Sequence, residues 1–236
     1  MRKNKRLMRG VTTAVIASAL FFCTSFAAFA QANEEKRVNN ATDVMREIMS
    51  IPERGIPPSL FNDIHGIAVF PKMVKVGFVA GGRFGKGILV THTGEGSWSD
   101  PVFVELFGGS VGFQIGVQST DVILVFKTKK SIEGIVKGKF TLGADAAVAA
   151  GPVGREAGAD TDITLKAEIY SYSRSRGLFA GVSLEGSGLQ VDDESNGSYY
   201  GKPGISAEDI LAGKTPGTKD SARRFVAELE KHASKK

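Results

Sequence analysis

The chain has 236 residues, with 30 lysines and arginines against 25 aspartates and glutamates, 29 glycines and one cysteine. A lone cysteine leaves no disulfide, and three well-separated histidines give no paired spacing for zinc. Five of the bases (Arg2, Lys3, Lys5, Arg6 and Arg9) stand in the first ten residues without an acid. Setting them aside leaves 25 bases against 25 acids, so the pI of about 9.3 belongs to that start. The remainder lacks the positive surplus that nucleic-acid binding requires.

An uncharged run from Val11 to Ala30 follows the basic start, and Ala28-Phe29-Ala30 is a small-x-small exit. These are the parts of a secretory signal peptide, with cleavage expected after Ala30. The absence of a twin arginine points to the general secretion route. The expected location is periplasmic or secreted, peripheral on a membrane. Two alternatives stand beside a cleaved leader. The run is about long enough to span a bilayer. Lipidation at Cys23 is the other, although a lipoprotein signal wants a small residue where Phe22 stands.

The mature chain opens with a predicted helix over 33–50. Val38, Ala41, Val44, Met45, Ile48 and Met49 recur at three- and four-residue spacing, and Pro52 and Pro57-Pro58 end it. Its polar face mixes both signs, which favours packing on its own domain over lying on a membrane. From Gly66 to about Val191 the period becomes two. Alternation over 74–81, 111–118, 163–170 and 178–185 predicts strands buried on one side, and Val122–Phe126 a strand buried on both. Residues 173–177 read as a hairpin connection and 131–137 as a short helix. Residues 192–203 read as a polar turn region. Ser206-Ala207-Glu208-Asp209 reads as a capped turn, and 219–233 as a closing helix with Phe225, Val226 and Leu229 inward. The fold class expected is α+β, mostly β. It is a glycine-rich antiparallel sheet, as sandwich or barrel, with an N-terminal, a short internal and a C-terminal helix.

Few motifs carry chemistry. Gly108-Gly109-Ser110-Val111-Gly112 matches G-x-S-x-G, but it runs into an alternating pattern instead of an elbow, and only His232 follows it. A hydrolase built on Ser110 is thus the third reading. Residues 80–87 fall short of a phosphate loop and read as a glycine-rich hairpin, because Ile88-Leu89-Val90 continues a strand where a helix is required. The acidic clusters Asp160 with Asp162, and Asp192, Asp193 and Glu194, lack the spaced ligands of a calcium loop. No catalytic residue, metal or cofactor is expected.

What remains is surface charge. Lys72, Lys75, Arg83 and Lys86 lie near the first turns of the sheet, and Lys127, Lys129 and Lys130 follow the buried strand. Arg174 and Arg176 sit in the hairpin. Each base near an anionic bilayer is worth about 1 kcal/mol, and Phe84 and Phe179 add apolar anchoring. Lys72, Lys75, Arg83, Lys86, Arg174 and Arg176 are the candidate lipid-binding residues.

The sequence also resembles the SYLF domain family. The resemblance rests on Gly66–Pro71, Val79–Gly87, Trp98–Phe103, Gly108–Gly116, Gln118–Asp121, Leu142–Asp145, Gly151–Arg155 and Tyr170–Gly181, in that order. It covers about Ile51 to Tyr200. It implies a non-catalytic lipid-binding domain. The expected division is a domain over 31–205 that includes the first helix, with 206–236 a helical extension packed on it. Eukaryotic members bind phosphoinositides and some bind actin, which an exported chain does not meet. Exported bacterial relatives are described as lipid-binding. The expected partner is an anionic phospholipid surface, and the alternative is a structural envelope protein that docks another chain through the Gly112/Gln114/Gly116/Gln118 face.

Overall fold

The structure is a computed structural model that describes residues 31–51, 55–77, 80–93, 97–111, 116–138, 140–152, 167–175, 178–179 and 183–233. The expected leader lies outside these residues. The first helix, α1, covers 31–49 and buries Val38, Ala41, Val44, Met45 and Ile48 in the main core. Its apolar stripe therefore packs on its own domain. A 3-10 turn at Pro58–Asn62 leads into the sheet.

Four long strands form the centre: β1 Gly66–Gly77, β2 Ala80–Thr91, β3 Val102–Val111 and β4 Gly116–Phe126. Helix α2 (Lys129–Val136) and the short strands β5 (Phe140–Thr141) and β6 (Val148–Ala150) follow. Then come β7 (Ile169–Ser175), β8 (Leu178–Phe179) and β9 (Gly188–Val191). Helices α3 (Asp193–Tyr200), α4 (Ala207–Leu211) and α5 (Asp220–Ala233) close the chain. The strand order is β5-β9-β3-β2-β1-β4-β7-β6, with β8 beside β7. The order β3-β2-β1-β4 is a Greek key. The fold is α+β, built on one curled half-barrel sheet.

The sheet has two unlike halves. At the end formed by the start of β1 and the end of β4, residues 67–70 and 122–126 are all fully or almost fully buried, as are 88–90 and 102–104 on their neighbours. Both faces are covered there, so the sequence reads as an unbroken apolar run. At the other end glycines interleave with exposed side chains. The boundary falls at a bulge in β1, where the register to β2 shifts between Val69 and Val74 and that to β4 between Phe70 and Met73. Pro71 and Lys72 occupy this bulge, which is where a strand tolerates proline. Lys72 takes the left-handed φ of 53°, and its N–H donates to Asp121 Oδ1 at 2.9 Å.

Several expectations change. The alternation over 74–81 is split, because β1 ends at Gly77 and β2 begins at Ala80 with Gly77 opposite Gly81. Residues 80–87 are then straight strand rather than hairpin. The strand expected over 111–118 is likewise divided: Val111 ends β3, Gly116 begins β4, and 112–115 lie outside the described residues. Period two continues through a short link, so alternation alone does not reveal a reversal. The expected strand over 163–170 lies mostly outside the described residues; of 178–185, residues 178–179 are strand, 183–185 are not, and 180–182 lie outside the described residues. The hairpin at 173–177 is seen in the pairing of Arg174 with Phe179 and Ser175 with Leu178.

Residues 192–203 do not form a polar turn region. Asp192 caps α3 by accepting from Ser195 N–H at 3.1 Å, and Gly201 ends it at φ 63°. The helix buries Tyr199 and Tyr200 beside β3. The N-cap and a left-handed glycine closing the helix are ordinary helix punctuation, overlooked because the segment lacks an apolar stripe. Ser206 does cap α4, accepting from Asp209 N–H at 3.1 Å. Lys219, just before α5, and Arg224 and Glu228 within it meet Glu35, Asn39 and Arg46 of α1 in the same order.

Candidate anion-binding cleft

Among the described residues, helix α1 faces the glycine-rich half of the sheet without burying it. Between the helix and that half lies a cleft of about 340 Å³. Asn33, Lys36, Arg37 and Asn40 line one wall. Their spacing of three, four and seven places them in a single stripe on the helix. The opposite wall is Pro71, Lys72 and Val74 of β1 with Phe84, Gly85 and Lys86 of β2. Gly85 lets the two strands lie close in this arrangement, because a Cβ there would stand 3.0 Å from the Met73 side chain. The lining thus has four cations, two amides and two large apolar side chains, and no carboxylate.

Two of the cations are held from behind. Lys86 Nζ lies 2.8 Å from Glu105 Oε1 and 2.9 Å from Asp192 Oδ2, and Arg37 reaches Asp192 Oδ2 at 3.4 Å. Burial pulls the Lys86 ammonium down, but the hydrogen bonds and charges of Glu105 and Asp192 outweigh it and hold it above the ordinary lysine value. Burial pushes Asp192 up, and the Ser195 and Lys86 hydrogen bonds together carry it below the usual carboxylate range. Arg37 also stacks 5.2 Å from the centroid of Phe103. Among the described residues, neither Lys36 nor Lys72 has a carboxylate partner. The cleft therefore combines two anchored cations with two free to meet an anion.

The six sequence candidates do not form one surface. Lys72 and Lys86 meet in the cleft. Lys75 stands directly opposite Arg83, so the two share a face, whereas Lys86 is three residues beyond Arg83 on β2 and projects from the other face. Arg83 donates to the Ser183 carbonyl, and burial lowers its pKa. Arg174 is ion-paired with Glu47 of α1 and lies 3.7 Å from Asp121, which ties α1 to β4 and β7. Arg176 lies outside the described residues. Asn33, Lys36, Arg37 and Asn40 are missing from the sequence candidates, because in the sequence they belong to the polar side of a mixed-charge helix and nothing there shows what they face.

Ser110 belongs to β3 and pairs with Gly81, so the G-x-S-x-G segment enters its last glycine from an extended strand. Among the described residues no group of three or more histidines, cysteines, aspartates or glutamates is placed to hold a metal. No helix among them is long and apolar enough to cross a membrane.

A glycine-rich half-barrel with a charged cleft beneath its first helix defines a binding domain. The chain belongs to the Ysc84 family, the SYLF family of the sequence resemblance, described as "Las17-binding protein actin regulator", whose pattern it matches over residues 107–232. It is similar to the SH3 domain-containing YSC84-like protein 1 of Xenopus laevis, at 36% identity over 188 residues, which are 77% of this chain and 56% of that protein. The human protein of the same name is 35% identical over 190 residues, 78% of this chain and 55% of its own length. The LAS seventeen-binding protein 3 of Saccharomyces cerevisiae is 36% identical over 162 residues, 67% of this chain and 35% of its own. The chain spans about half the length of the vertebrate relatives and about a third of the yeast one.

Proposed function

We propose that this protein is an exported, non-catalytic binding protein that holds anionic phospholipid headgroups in the cleft between α1 and the β1–β2 hairpin. The observation that carries this reading is the composition of that cleft. Lys36 and Lys72 are unpaired among the described residues, Asn33 and Asn40 add amide donors, and Val74 and Phe84 border it with apolar surface. A phosphate monoester or diester takes hydrogen bonds from such cations at close range. Acyl chains beside the headgroup are met by the two apolar side chains.

Flotation of the purified protein, with and without its first thirty residues, on vesicles of phosphatidylcholine with and without phosphatidylglycerol tests this. Binding should require the anionic lipid and weaken with salt. Lys36→Glu with Lys72→Glu should lower binding at least tenfold. Lys72→Gly separates binding from folding. It removes the charge but relieves the left-handed φ of 53°, so flotation should fall while stability holds or rises by about 1 kcal/mol. Vesicle binding unchanged by both variants sinks the reading.

A second reading, docking of another protein chain, is favoured by the family description and by the printed names of the relatives. The Gln118 side chain of β4 is exposed, but residues 112–115 of the proposed docking face lie outside the described residues. Retention of a partner protein by the charge-reversed variant, with flotation abolished, would distinguish the two.

A further inference from the structure

Among the described residues, five large apolar side chains are exposed to solvent: Val74, Val76, Phe84, Phe107 and Val117, each between 39% and 68% accessible. Strand register shows that they are one surface. Phe107 is opposite Phe84, and Phe84 is opposite Val74, forming one row across β3, β2 and β1. Val76 is opposite Val117 in the next row, whose β2 and β3 positions are Gly82 and Gly109. All lie on the face that carries α1, where the described residues of the helix leave them exposed. The two glycines are not packing requirements, because a Cβ at Gly109 would meet nothing within 4 Å and one at Gly82 only a carbonyl at 3.9 Å. They leave the row flat. The reverse face at this end is polar, with Gln118, Lys75, Arg83 and Gly108 in one row. This half of the sheet is therefore amphipathic. It shows exposed apolar groups on one face where a soluble surface would show charge.

We propose that this apolar face enters the outer acyl region of an anionic bilayer when the cleft binds headgroups, and so fixes the orientation of the domain on the membrane. The inference rests on the lipid reading above. The occupant is argued from complementarity. The shelf adjoins the cleft and shares Val74 and Phe84 with it, so the cations Lys36 and Lys72 stand at its margin. That is the order of groups met on passing from headgroup to hydrocarbon. Insertion is shallow, since the shelf is two residue rows deep and spans three to four strands. Lys75 on the reverse face remains in the headgroup layer, where a long cationic stem extends toward phosphate, while Arg83 stays on the Ser183 carbonyl.

The two contributions respond differently to salt. Cation–phosphate attraction is screened at about 1 M salt, where the Debye length is ~3 Å, whereas apolar burial is not. Val76→Ser with Val117→Ser changes two exposed side chains outside the cleft, so the fold should be unaffected. On vesicles containing phosphatidylglycerol, the variant should lose about tenfold in partitioning and all of the retention that survives high salt. Phe107→Trp provides a direct readout, because the native Trp98 is buried in the other half of the molecule. Emission from the introduced indole should shift to the blue on vesicle addition and be quenched by lipids brominated near the carbonyl end of the acyl chain. A Phe107→Trp protein that floats with vesicles while this emission is neither shifted nor quenched overturns the insertion and leaves the cleft reading standing. A protein that fails to float overturns both. Loss of self-association in the double serine variant, with flotation unchanged, would assign the shelf to a second copy of the chain and also overturn the proposal.

Discussion

Asp192 connects more of this molecule than any other carboxylate described. It caps α3 through Ser195 N–H, and its Oδ2 receives Ser195 Oγ at 2.7 Å, Lys86 Nζ at 2.9 Å and Arg37 at 3.4 Å. Replacing it with alanine removes a cap and leaves two cations facing a hole, which should cost about 3 kcal/mol by chemical denaturation. Its folded pKa is depressed, so the unfolded chain takes up the proton first and stability falls as pH drops through the folded value. Lys86 has the opposite sense: its raised pKa gives stability that is fully present below the ordinary lysine value and lost as pH rises through the folded one. The pair should therefore support the fold from about pH 5 to about pH 9. Melting temperature measured against pH should show an acid fall that is shallower in Asp192→Asn. A wild-type acid limb reproduced in the variant would refute this assignment. The cap could have been read from Asp192 and Gly201 alone, because capping is local. The partners Lys86 and Arg37, 106 and 155 residues distant, could not. For the same reason the sequence identified Lys72 and Lys86 as binding candidates but grouped them with Lys75 and Arg83, which the hairpin sends to the other face.

Among the elements, the paired strands β2 and β3 show how one residue type serves opposite ends of the sheet. Gly87 lies in the buried half, where a Cβ would run into the Val69 carbonyl and the Phe70 ring. Gly87→Ala should destabilise the protein by about 2 kcal/mol or more, because a packed strand pair has little room to yield. Gly109→Ala, on β3 in the open half, should change stability by less than about 0.5 kcal/mol. Equal melting temperatures for the two variants would contradict the division of the sheet. Where residues are described, alternation over 74–81 and 111–118 did mark strand, and the continuous apolar run Val122–Phe126 marked the doubly buried part of β4. Strand ends were not. Alternation passes from Val74 to Gly81 without a break although the chain reverses between them, and a glycine-rich strand and a glycine-rich turn have the same composition.

At the scale of the molecule, α1 joins sheet and closing helix. It buries Met45 and Ile48 completely and exchanges ion pairs or hydrogen bonds with α5, β7 and the α3 cap. Ile48→Ala should cost about 3 kcal/mol and lower the melting temperature, with unfolding still one transition. Separate melting of α1 and the sheet would show that the helix is an appendage. The amphipathic spacing of α1 was readable from the sequence. Its two polar flanks looked alike there, and only the packed structure shows that one is tied to α5 while the other walls the cleft.

The register break at Pro71 and Lys72 has a consequence along the length of β1. Amides on its early side are locked into a stretch covered above and below, and exchange with deuterium there should await complete unfolding. Amides past the break are paired in the same ladder but have little burial to hold them, and they should exchange by local opening. Sequence change in the outer half can then reshape what the protein touches with little effect on whether it folds.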